Sequence, residues 1–265
     1  MKEHVLAEKD ISLYYRIYGE GDTVMLIHGF GEDGAIWENM IPALEKDYTV
    51  IVPDLVGSGR STGNMEGMTI EKLANHIHLI VEKEQLSGFA MIGHSMGGYV
   101  TLAYAEKYPG NLSKFGLFHS TAFEDSEEKK QVRDKNIAFI ARHGSAKFQE
   151  QTIPNLFSDA SKKKMPGKVK ETIERYSNFS PTALVSYTEA MKNRPNRVSV
   201  LESFKKPVLF IMGEYDNAVP IEQGLKQSSI PELSYIYIAA QSGHMGMLEE
   251  PEFCLQAMLE FLSGK

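Results

Sequence analysis

Gly93-His94-Ser95-Met96-Gly97 sets a hydroxyl between two glycines, in the pattern G-x-S-x-G. A serine alone is a poor nucleophile at neutral pH. It needs a base within hydrogen-bond reach, and the base needs a carboxylate to orient it. The chain offers both further along. Asp216 lies in the run Gly213 to Pro220, and His244 in the run Gln241 to Gly246. Ser95, Asp216 and His244 stand in the order serine, acid, histidine that accompanies this type of serine turn. In such a set His244 takes the proton from Ser95, while Asp216 holds its tautomer and stabilises the imidazolium. Glu214 is the weaker rival for the acid. The chemistry is acyl transfer to serine followed by hydrolysis, and no cofactor is implied.

Those residues need particular elements to hold them. Phe89 to Ile92 is a short apolar run, and Tyr99, Val100, Leu102, Ala103 and Ala105 make one side of a helix that stops at Pro109-Gly110. Strand, tight turn and helix together form a nucleophile elbow. Side chains at positions 93 and 97 would collide with the strand or the helix, which explains both glycines. Gly98 lets another element pack against the helix. The helix N-terminus aims free N–H groups at the oxygen that becomes negative. The oxyanion hole is expected from the backbone N–H of Met96 and that of Phe30, in the loop after His28-Gly29. Both side chains are then free to shape the substrate pocket. Asp216 and His244 each follow an apolar strand, where open parallel sheets place their sites.

Composition narrows the class. The chain has 265 residues, of which 42% are hydrophobic, enough for one large core or a core with an inserted subdomain. A net charge of −7 without a strongly basic stretch argues against nucleic acid as a partner. Lys162-Lys163-Lys164 reads as a solvated helix face. The single cysteine, Cys254, permits no intrachain disulfide and sits in an apolar helical pattern as a packing residue. The start, Met-Lys-Glu-His, lacks the apolar core of a signal peptide, and no uncharged run approaches the length of a membrane span. A cytoplasmic protein with no membrane partner is the expectation, acting on a small-molecule ester or acyl compound. No protein partner is legible. H-E-x-x-H is absent and no histidine or carboxylate spacing implies a metal.

Apolar runs at 11–18, 23–27, 48–52, 89–92, 112–118, 207–212 and 235–239 read as strands, and helical spacing lies between most of them. That alternation predicts an α/β fold, a mostly parallel sheet with right-handed crossovers. Residues 1–120 and 201–265 form the expected core. Residues 121–200 carry many charges, scattered aromatics and helical spacing but no clear strand. They are expected to form a helical cap inserted after the sixth core strand. Its candidate inward residues are Phe123, Phe139, Ile140, Phe148, Leu156, Phe157, Phe179, Leu184 and Tyr187. Phe139 and Phe157 are expected to line the substrate pocket with the side chains of Phe30 and Met96. Trp37 belongs to the core or the pocket wall. His28 reads as a loop-shaping hydrogen bonder, His94 as elbow packing, and His119 as structural rather than cavity-lining. The Asp54–Ser61 loop resembles half of a phosphate-binding loop, but G-x-G-x-x-G is incomplete and no P-loop lysine follows.

With these motifs in order, the chain resembles the α/β-hydrolase family over nearly its whole length. The resemblance rests on His28-Gly29-Phe30-Gly31, the Asp54–Ser61 loop, the Ser95 elbow, Asp216 and His244. It implies a core of about eight strands with a helical cap over the site, and a carboxylesterase-like serine hydrolase. Departures narrow it further. The elbow carries serine where haloalkane dehalogenases and epoxide hydrolases carry aspartate. The first loop is not the His-Gly-Gly-Pro-Gly of proline iminopeptidases. Tyr99 stands where the similar menaquinone-pathway enzymes tend to carry arginine. The segment from His28 to Trp37 also looks like bacterial stress-signalling hydrolases and plant strigolactone and karrikin receptors, whose turnover is slow. Carbon–carbon bond hydrolases share the same triad. These remain the alternatives to an esterase.

Overall fold

The computed structural model describes residues 1–264. β1 (Lys2–Glu8) and β2 (Ile11–Tyr18) pair antiparallel. β3 (Asp22–Ile27) leads through a short 3-10 turn and α1 (Ile41–Leu44) to β4 (Tyr48–Pro53). The two-residue β5 (Thr62–Gly63) is followed by α2 (Ile70–Lys83), β6 (Phe89–His94), α3 (Met96–Lys107) and β7 (Leu112–Phe118). A strand-free stretch then carries α4 (Glu127–Thr152), interrupted at Gly144 with φ +80°, and α5 (Asp159–Lys164). α6 (Pro166–Tyr176), α7 (Pro181–Lys192) and α8 (Val198–Ser203) complete that stretch. β8 (Val208–Gly213), α9 (Ile221–Ser228), β9 (Ser234–Ala239), α10 (Gly246–Glu249) and α11 (Pro251–Ser263) finish the fold. Among the described residues no helix is long and apolar enough to cross a membrane.

The strands form one sheet in the order β1-β2-β4-β3-β6-β7-β8-β9, with β5 beside β2. From β4 to β9 every pairing is parallel. In β3, β4, β6, β7 and β8 the apolar runs are continuous because both faces are covered, whereas the edge strand β9 leaves Ile236 and Ile238 exposed. Met25, Ile51, Met91 and Phe210 pack on α2 and α3, through residues such as Leu73, Ile77 and Val100. Their chain neighbours Leu26, Val50, Ile92 and Ile211 point the other way, onto Trp37, Leu44, Met258 and Phe261. β1 is an element the sequence reading does not anticipate. Its residues are exposed or half-buried, so its ladder to β2, rather than an apolar run, makes it a strand.

The strand order reverses around β3. β4 lies on one side of it and β6 on the other. The loops leaving β3 and β6 therefore diverge and open a crevice at the carboxyl ends of the strands. Ile27 pairs with Gly93, so Phe30 and Ser95 arrive side by side. β7, β8 and β9 follow in order, and their ends deliver His119, Asp216 and His244 to the same edge.

One buried ion pair ties the entry of the strand-free stretch to its exit. Asp125 Oδ1 accepts from Arg194 Nη1 at 2.8 Å and Oδ2 accepts from Arg133 Nε at 2.7 Å. Arg194 also lies over the Tyr99 ring at 3.9 Å. Burial would raise the Asp125 pKa, but the two guanidinium groups hold it down. Its stabilising contribution is therefore full above the ordinary carboxyl pKa and is lost as pH falls through the depressed folded value. Asp125→Ala leaves two cations facing each other without their counter-charge. The expected loss is about 3–5 kcal/mol at neutral pH, measured by urea denaturation. Lys163→Ala, at an exposed position, is the control and stays within about 0.5 kcal/mol.

Candidate active site

Ser95 sits on a strained turn, with φ +50° and ψ −115°, where a residue with a side chain rarely goes. Two close approaches explain its flanking glycines. A Cβ on Gly93 would lie 2.2 Å from the Gly97 carbonyl oxygen, and one on Gly97 would lie 2.4 Å from the Ile27 carbonyl oxygen. The turn is held by the Ser95 N–H donating to Phe118 O at 2.9 Å. The Ser120 hydroxyl donates to Ser95 O at 2.7 Å, and Gly98 leaves the room for Ser120.

The structure brings the three predicted residues into one chain of hydrogen bonds. His244 Nε2 is 2.8 Å from Ser95 Oγ, and His244 Nδ1 is 2.7 Å from Asp216 Oδ2. Asp216 Oδ1 accepts from the amides of Ala218 and Val219, both at 2.8 Å. Burial works to raise the Asp216 pKa. His244 and His119 beside it outweigh burial and hold the carboxyl well below the usual range. An ionised Asp216 only accepts, so Nδ1 carries the imidazole proton and Nε2 is left to accept from the serine. Glu214 is exposed and lines a separate surface groove.

Met96 opens α3, so its N–H belongs to the unpaired first turn. Phe30 lies in the loop beside it. Among the described residues neither amide has a hydrogen-bond partner. His28 shapes that loop: its Nε2 accepts from the Leu55 amide at 2.9 Å, and its Nδ1 donates to Gly29 O at 2.8 Å.

A cavity of about 260 Å³ opens onto Ser95 and His244. Phe30 lines it, as expected. The other three expected pocket residues do not. The Met96 side chain points into the core among the sheet and α2 residues. Phe157 is buried against the opposite face of the sheet with Trp37 and Phe118. Phe139 packs within the helical stretch on Phe148 and His143. Of the predicted inward residues, Phe148 and Leu156 reach the cavity, joined by Gln149, Ile153, Tyr176 and Met191. Helical spacing shows which residues face inward; it does not tell a face that packs on the core from one that meets the cavity.

Two buried carboxylates at the site are absent from the sequence reading. Glu249 accepts from the Gly243 and Met245 amides, at 2.9 and 3.0 Å, and from the Ser158 amide at 2.9 Å. It clamps the loop carrying His244 to the turn before α5. Glu32 pairs with His94 at 3.0 Å. Both lie in acidic dipeptides that read as solvated, Glu249-Glu250 and Glu32-Asp33. Their only local signal was closeness to a predicted catalytic loop. His119 is buried with Nδ1 3.3 Å from Asp216 Oδ2, and burial lowers its pKa, keeping it neutral. It does not line the cavity.

Comparison with known proteins gives a consistent picture. A family model described as the alpha/beta hydrolase fold matches residues 22–251. An uncharacterized hydrolase of Bacillus subtilis, YugF, is 26% identical over 95% of this chain and 94% of its own. The 2-hydroxy-6-oxo-6-(2'-aminophenyl)hexa-2,4-dienoic acid hydrolase of Metapseudomonas resinovorans is 26% identical over 93% of this chain and 86% of its own. A thermophilic esterase from Thermogutta terrifontis superposes with a TM-score of 0.93 and 27% identity, covering 100% of this chain and 99% of that one.

Three outcomes test the site. Ser95→Ala is expected to abolish covalent labelling by a fluorophosphonate and to lower kcat by about 10⁴-fold or more. Asp216→Asn, which permits the wrong tautomer, is expected to lower it by about 10⁴-fold. His119, Asp216 and His244 also offer donor atoms within 4.8 Å of one another, a spacing a metal ion accepts. The Asp216 and His244 donors are already engaged, as described above. Dialysis against EDTA is therefore expected to leave kcat/KM unchanged; a loss restored by a divalent ion would reverse this assignment.

Proposed function

This chain belongs to the α/β-hydrolase fold family, and we propose that within it the protein is a serine hydrolase acting on small esters through an acyl-enzyme. The observation that carries this reading is the unbroken hydrogen-bond chain from Ser95 Oγ through His244 to Asp216. Ser95 Oγ attacks the ester carbonyl carbon as His244 Nε2 takes its proton. The carbonyl oxygen becomes negative and is met by the N–H groups of Phe30 and Met96. The tetrahedral species collapses, and His244 returns the proton to the departing alkoxide, which leaves as an alcohol. Water then attacks the acyl-serine by the same route, releasing a carboxylic acid and restoring Ser95. Asp216 stays ionised throughout and stabilises the imidazolium. The Thermogutta esterase, similar over the full length of both chains, supports the ester class.

A second reading, hydrolysis of a carbon–carbon bond, is favoured by the charge of the cavity wall. Lys129 and Arg133 both line it. Arg133 shares the single Asp125 carboxylate with Arg194, and among the described residues the Lys129 ammonium donates only to Ala218 O, at 2.8 Å. Positive charge there suits a substrate carrying a carboxylate, and the Metapseudomonas relative is named for a dienoic acid. Assay of such an acid beside neutral esters separates the two readings.

The cavity has finite depth, so acyl length matters. Each buried methylene contributes about 0.8 kcal/mol until the space is filled, after which further atoms clash. For soluble aryl esters kcat/KM is expected to rise from acetyl to short or medium chains and then fall, with no activation by an oil–water interface. A steady rise into long chains with interfacial activation would indicate a lipase. Many turnovers per Ser95 separate an enzyme from a receptor that retains its ligand adduct.

A further inference from the structure

The histidine directly before the nucleophile has no part in that scheme, yet its ring is held from both ends. His94 is buried. Its Nδ1 lies 3.0 Å from Glu32 Oε2, and its Nε2 lies 3.0 Å from the main-chain oxygen of His244. A carbonyl oxygen only accepts, and so does an ionised carboxylate. A neutral imidazole has one N–H for these two acceptors, and its bare nitrogen would face an oxygen lone pair. With Glu32 ionised, as its lowered pKa indicates, only the doubly protonated ring satisfies both.

The surroundings favour that state. Glu32 is the nearest charge, and its Oε2 also accepts from the Gly29 amide at 2.9 Å. Burial would lower the His94 pKa, but Glu32, with the more distant Asp216, raises it. Burial would likewise raise the Glu32 pKa, which His94 and the Gly29 amide lower. The other titratable neighbours are the rings of His244 at 5.0 Å and His119 at 6.2 Å. Trp37 and Phe118 pack against it edge-on and carry no charge, and one side of the residue meets the cavity.

We propose that Glu32 and His94 are a positioning pair for the base: His94, kept as an imidazolium by Glu32, donates Nε2–H to the carbonyl of His244 and fixes the peptide from which the catalytic imidazole projects. The inference rests on the reading of Ser95, His244 and Asp216 as the catalytic set. The amide of the same residue is held from the other side, donating to Leu156 O at 2.6 Å. Because His94 and Ser95 are consecutive, one turn carries both the nucleophile and the tether of its base. Their separation is then set within a single rigid element.

The test combines a direct observation with a variant. In protein carrying ¹⁵N-labelled histidine, one of the eight histidines is expected to stay doubly protonated at mildly alkaline pH, and its signals are expected to be missing from His94→Asn. Glu32→Gln keeps the shape but removes the charge, so the ring loses its second proton at lower pH. A raised pKa acts below its value and fails above it, so the alkaline fall in kcat is expected to move down by about one pH unit or more. On the plateau lost by the wild type only later, kcat is expected to drop about tenfold to a hundredfold, as for a displaced catalytic group, with KM little changed. A neutral His94 in the wild type overturns the proposal, as does an unaltered profile and kcat in Glu32→Gln. Should that variant not fold, the wild-type titration decides alone. Fluorophosphonate labelling of Ser95 in the same preparation separates the outcomes. Labelling with a neutral His94 refutes only the tether, whereas absent labelling refutes the catalytic set.

Discussion

The close contact of backbone with backbone at the elbow is the constraint on which the site depends. β6 must end and α3 must begin within one residue, and that residue has φ +50°. Such a conformation costs on the order of 1–3 kcal/mol. The cost is offset by neighbours that exist only in the folded sheet: Phe118 O for the Ser95 amide and the Ser120 hydroxyl for its carbonyl. Phe118 ends β7, the strand next to β6, and Ser120 lies two residues beyond it. The elbow is therefore stable because β7 lies parallel beside it in register, and a serine exposed in this way cannot be made by a local turn alone.

His244 reaches Ser95 from the far edge of the sheet. β8 and β9 follow β7 in order, so the acid and the histidine arrive on adjacent loops. Their alignment is over-determined. Asp216 is fixed by two amides, the His244 loop by Glu249, and the His244 amide by Leu156. Asp216, accepting from two amides beside two histidines, is held ionised.

The helical stretch is part of this rigidity. The Leu156 carbonyl and the Ser158 hydroxyl bond to the loop that carries His244, at the His244 amide and at Gln241 O, while Asp125 and Arg194 close its base above Tyr99. A displacement of these helices would be felt at the base through the Leu156 carbonyl. The cavity wall and the His244 loop thus belong to one packed unit.

Much of this was legible in the chain. The elbow was readable because its requirement is local: glycines where a Cβ would strike the adjoining carbonyls, between an apolar run and a helix. The strands buried on both faces were readable because each is a short continuous apolar run, and Asp216 and His244 because each follows one. β1 was not, since its exposed residues acquire strand geometry only from β2. Nor was the destination of the aromatics. Phe157 and Phe148 have the same chemistry and lie nine positions apart, yet one fills the core and the other meets the cavity. Burial of Glu32 and Glu249 was equally hidden. An acidic residue reads as solvated until a partner far along the chain compensates its charge or fills its hydrogen bonds, and His94 is 62 residues from Glu32, Ser158 91 from Glu249. What the sequence determined by itself was the set of groups whose geometry is imposed within a few residues. Which charges are buried, and which apolar side chains face the substrate, was decided by contacts that form only when distant segments pack together.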